Sequence, residues 1–81
     1  MDCTIYKGKR KPDYYVFMPS EMSTDELPTE IQGMLGELET VMQLDISLQT
    51  ILAQSDPAVV LDIIQEKGFY IQIPPDQKQD I

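Results

Sequence analysis

The stretch that most constrains the fold is residues 55–75, SDPAVVLDIIQEKGFYIQIPP, which carries a helix, its stop and a strand in one run. Asp56 is placed to accept from the orphan N–H groups of a helix start, and Pro57 follows where its missing N–H costs nothing. Val60, Ile63 and Ile64 fall at i, i+3 and i+4, and Val59 and Leu61 widen the apolar stripe. Lys67 suits the negative helix end, and Gly68 is free to take the left-handed conformation that reverses the chain. Phe69, Ile71 and Ile73 then point to one side of a strand, Tyr70 and Gln72 to the other. Pro74 and Pro75 lack the donors to continue it.

The rest of the chain supplies what this unit packs against. Residues 3–6 and 14–18 are short β-prone runs flanking KGKRKPD, where Gly8 and Pro12 offer turn chemistry, so a β-hairpin with a longish loop is expected. The second run, YYVFM, is apolar on both sides and predicts a central strand covered on both faces. Ser23 and Glu26 have capping-box spacing, and Pro28 suits a first helical turn. Leu27, Ile31, Met34 and Leu35 line up as the apolar side of a short helix ending near Gly36. Thr40, Met42, Leu44 and Ile46 alternate with Val41, Gln43 and Asp45, which predicts a half-buried strand. Leu48, Ile51 and Leu52 fit only a turn or short helix. The element order is therefore β-β-α-β-(turn)-α-β. It predicts an α/β fold: a small mixed four-stranded sheet with helices on both faces, an α/β/α sandwich. The polar end DQKQDI, residues 76–81, is expected to be a flexible tail.

Eighty-one residues suffice for one domain with one modest core, since such a chain buries roughly 60% of its unfolded surface. No apolar run reaches the ~20 residues of a membrane span, and the start lacks the apolar segment of a signal peptide. The single cysteine, Cys3, has no internal disulfide partner, which fits a reduced, cytoplasmic setting. The net charge is −8, and it is unevenly placed. Lys7, Lys9, Arg10 and Lys11 cluster near the start, whereas residues 12–66 hold eleven Asp and Glu and no Lys or Arg. The plain reading of such charge is an acidic solvated face that keeps a small protein soluble; the sharper one is repulsion of nucleic acid and anionic membranes from most of the surface.

Taken together, GFYIQIPP after a helix, the Gly36 stop, the Pro28 helix start, the aromatic strand YVFM and the Tyr6-Lys7 strand with its basic loop resemble the YcgL-domain family. The resemblance spans nearly the whole chain, so residues 1–75 are expected to form a single YcgL-like domain. It implies a small bacterial cytoplasmic protein with an α/β/α sandwich, and it carries over no catalytic residues. In one respect the chain departs from the pattern. Family members tend to carry basic residues where this sequence has the uncharged Gln49, Thr50 and Ile51.

The residues offer little catalytic chemistry. Histidine is absent, which removes the commonest general base and metal ligand. One cysteine without histidine makes neither a structural zinc site nor a Cys–His nucleophile pair. There is no GxxxxGK[ST] phosphate loop and no EF-hand pattern. The expectation is therefore a non-enzyme with no catalytic, cofactor-binding or metal residues and no cofactor. Two functions follow. One is a binding or adaptor module that contacts another protein through an apolar patch or a sheet edge, as a monomer or weak homodimer. The other is a nucleic-acid-associated protein, with RNA favoured over DNA, using the basic loop of Lys7, Lys9, Arg10 and Lys11 beside Tyr6 or Tyr70. The net charge disfavours the second, and the same four residues are the candidate contact for any anionic partner.

Overall fold

The computed structural model describes residues 1–52 and 55–73. Its elements are β1 (Asp2–Gly8), β2 (Tyr15–Pro19), a 3-10 turn (Thr24–Glu26), α1 (Thr29–Leu35), β3 (Leu38–Asp45), α2 (Pro57–Lys67) and β4 (Tyr70–Gln72). The strands form one four-stranded sheet in the order β3-β1-β2-β4. YYVFM, apart from Tyr14 just before the strand, accordingly lies inside the sheet, and both its faces are covered: Val16 is fully buried and Phe17 is 4% exposed. On one face Cys3, Ile5 and Phe17 pack with Ile46 and with Val60 and Ile64 of α2. On the other, Val16 and Met18 pack with Leu27 and with Leu35 of α1. The molecule is thus the α/β/α sandwich that the sequence predicts.

The strand directions differ from expectation. The sheet is not mixed: all three pairings, β1 with β2, β1 with β3 and β2 with β4, are antiparallel. The β1–β2 hairpin occupies the centre, so β3 and β4 pair with its two outer sides and never meet. A parallel β3–β4 pair linked by α2 is thereby ruled out.

The unit formed by α2 and β4 follows its local signals closely. Asp56 Oδ1 accepts from the Ala58 N–H at 2.9 Å, Pro57 opens α2, and Gly68 closes it in the left-handed region at φ 89°. Phe69 and Ile71 join the α1 side of the core, and Tyr70 joins the α2 side. There Tyr70 meets Phe17 edge-on with ring centroids 5.7 Å apart, and its hydroxyl shares a 2.9 Å hydrogen bond with Ser55 Oγ. The closing prolines and residues 76–81 lie outside the described residues.

The first helix is shorter than its apolar spacing predicts. The capping box forms, with Ser23 N–H donating to Glu26 Oε2 at 2.8 Å, but it closes only the 3-10 turn. Leu27 then extends at φ −67°, ψ 147°, because a residue preceding proline is driven out of the helical region. The helix restarts after Pro28, and Met34 points outward at 38% exposure.

The alternation in β3 is broken as well. Ile5 pairs with Met42 but Tyr6 with Thr40, leaving Val41 as the extra residue of a bulge. Thr40 therefore sits opposite Tyr6, on the α1 side, rather than sharing a face with Met42, Leu44 and Ile46. Ile46 is fully buried just beyond the strand, with its N–H donating to Met1 O at 2.8 Å. Residues 47–50 make the expected turn, closed by Thr50 N–H to Ser47 O at 3.1 Å.

Candidate functional site

The basic loop is built into the fold rather than projecting from it. Its backbone runs along the end of α1: Lys9 N–H donates to Glu37 O at 2.9 Å and Arg10 N–H to Leu35 O at 3.0 Å. The Arg10 guanidinium donates to Gly33 O at 2.9 Å. The last turn of α1 has no basic residue of its own, so Arg10 brings positive charge and a donor to the carbonyl end of that helix. Its side-chain stem lies against Gly36, where an added Cβ would come within 2.8 Å of Arg10 Cγ. Lys9 Nζ is 3.4 Å from Glu37 Oε2, both largely exposed, and Lys11 Nζ stands 5.9 Å above the Tyr14 ring. Lys7 lies on β1 between Tyr15 and Glu39. The four residues therefore do not converge: Lys9 and Arg10 engage the α1 end, and Lys7 faces the α2 side of the sheet.

Nucleophilic and metal chemistry find little footing among the described residues. Cys3 is fully buried, and its thiol pKa is raised, chiefly by burial, while the nearby amino terminus works in the opposite direction. No group of three or more Cys, Asp or Glu is placed to hold a metal ion among the described residues. Polar Thr4, 5% exposed, is satisfied by Ser20 Oγ at 3.0 Å. A hollow of about 540 Å³ is bounded by Met1, Asp2, Pro19, Ser20 and Glu21, and the Ser20 hydroxyl there is already hydrogen-bonded to Thr4 Oγ1.

The feature that sequence reasoning did not locate is an apolar groove on the α2 side of the sheet. It has a volume of about 380 Å³ and is walled by Ile5, Phe17, Val41, Met42, Leu44 and Ile51, with Tyr15, Leu52 and Gln72 completing it. Val41, Met42 and Ile51 are 45%, 47% and 94% exposed. Helix α2 covers the end of this face near Cys3, Ile46 and Phe17, and leaves the end near Val41 open. The bulge creates the groove's outer wall, because it turns Val41 and Met42, neighbours in sequence, toward the same hollow. Strict alternation, which assigns them to opposite faces, hides this.

Fold and surface together define a class: a small antiparallel α/β/α sandwich that offers an apolar face and a tethered basic loop. None of its described helices is long and apolar enough to cross a membrane. The YcgL domain model matches residues 3–75, and the chain belongs to that family. It is 30% identical to a YcgL domain-containing protein of Thioalkalivibrio sulfidiphilus over the full length of both chains. It is 39% identical to one of Stenotrophomonas maltophilia over 93% of this chain and 87% of the relative. A third, from Shewanella denitrificans, is 36% identical over 93% of this chain and 79% of the relative. The names of these bacterial proteins state a domain rather than an activity.

Proposed function

We propose that this protein is a non-enzymatic binding module of the bacterial cytoplasm that holds another protein against the open groove beside β3. The observation that carries the reading is the contiguity of Val41, Met42 and Ile51, all exposed, with the buried Ile5 and Phe17. Single exposed apolar residues are ordinary, but a continuous strip joined to the core marks a contact surface. The nucleic-acid alternative is weakened by the engagement of Lys9 and Arg10 with Glu37 and the Gly33 carbonyl, and by the net charge of −8. A photo-crosslinking amino acid at Met42, with a control at Glu66 on α2, tests it in growing bacterial cells. A protein adduct at position 42 that disappears when Val41→Lys is added supports the reading. Nuclease-sensitive adducts confined to positions 7–11 would replace it with the nucleic-acid alternative, and no adduct at position 42 would remove it.

A further inference from the structure

We propose that the partner segment is an extended run of alternating apolar and basic residues, which adds to the free edge of β3 as a fifth strand. The inference deepens the binding-module reading and rests on it. At eight residues, β3 is the longest strand, and it ends the sheet, pairing with β1 alone among the described residues. The opposite edge, β4, is three residues long. Proteins guard exposed edges with lysine, proline, inward charges or bulges, and β3 has no Lys and no Pro. Its bulge lies at Val41, so residues 42–45 beyond it form an unbroken ladder with β1 and, apart from Asp45 O, which accepts from Thr50 Oγ1 at 3.4 Å, are the stretch open to regular pairing.

The two faces of β3 specify the pattern of what pairs with it. On the α2 side, Met42 and Leu44 line the groove. On the other side the alternation places Gln43 and Asp45, with Asp2 in register opposite Asp45; the Asp45 carboxylate accepts from the Met1 ammonium at 3.0 Å, and Asp2 is the acidic group beside it. An added strand therefore meets apolar neighbours on one face and polar, acidic neighbours on the other, and alternate side chains must match. Charge selects the sign of the polar set. The whole chain carries −8, and residues 12–66 contain no Lys or Arg, so a cationic segment is drawn in while a second copy of this chain is repelled.

The test is an amide NMR titration of the full chain with three capped peptides: an alternating Lys-Val octamer, its Glu-Val counterpart, and a Lys-Ala helix former of equal charge. The alternating basic peptide should shift the amides of residues 42–45 and slow their hydrogen exchange. Its affinity should fall as salt rises, and Met42→Asp should weaken it by about tenfold. Equal binding of the acidic peptide, tighter binding of the helix former, shifts centred on residues 7–11, or no binding at all would each overturn the proposal. So would β3 protection that grows with protein concentration without peptide, which marks a second copy. Amides of residues 42–45 that move when residues 76–81 are deleted would mark the chain's own end as the occupant and overturn it likewise. A crosslinked protein at position 42 with no response to the alternating peptide would overturn strand addition and leave the binding-module reading standing.

Discussion

Among single residues, Arg10 has a structural task that its sequence context disguises. Sequence places it in a charged tip, whereas the structure uses it to close the carbonyl end of α1 through Gly33 O. Arg10→Ala should lower stability by about 1 kcal/mol, the worth of a charge-assisted bond at a helix end. Lys9→Ala, which removes only an exposed ion pair, should change it by less than about 0.5 kcal/mol. Urea midpoints of the two variants check the order. Cys3 supplies a pH prediction. Burial raises its thiol pKa above the ordinary 9.0, so the unfolded chain ionises first as pH climbs. Stability contributed by the neutral thiol is complete below pH 9 and should be lost as pH rises through the raised folded value. Chemical denaturation from pH 7 to 11 should show an alkaline decline that is shallower in Cys3→Ala.

At the level of elements, the helix ends carry the topology. Gly68 sits at φ 89° with Met22 Cε 3.4 Å from a would-be Cβ, so Gly68→Ala should cost about 1–2 kcal/mol through backbone strain alone. Gly36, at φ 73° and ψ −154°, occupies a region open essentially to glycine only, and its Cβ would also meet Arg10. Gly36→Ala should therefore be the more damaging of the two, and comparing their unfolding midpoints decides the matter. The break before Pro28 separates residues that spacing groups together. Leu27 is 3% exposed and Met34 38%, so Leu27→Ala should cost about 2–4 kcal/mol and Met34→Ala under about 1. Equal losses would mean that one continuous helix buries both.

For the whole molecule, charge is the dominant long-range term. With a net charge of −8 on 81 residues, self-repulsion opposes compaction, and raising NaCl from 10 to 150 mM should raise the melting temperature. A fall would mean that local pairs such as Lys9–Glu37 outweigh the repulsion. The sequence by itself determined those features whose causes lie within a few residues of one another. The Asp56–Pro57 start, the Gly68 stop and the two faces of β4 are set by capping, backbone sterics and pleat, and they appear as read. The cover on both sides of β2 was legible too, since a strand apolar on both faces has no stable exposed arrangement. Tertiary structure alone decided the order β3-β1-β2-β4, the bulge at Val41, the docking of Arg10 on α1 and hence the open groove. Most of these depend on groups distant in the chain, such as Arg10 with Gly33, Ile5 with Met42 or Phe17 with Tyr70. Their pairing is chosen by loop closure and packing of the assembled sheet, which no local periodicity encodes.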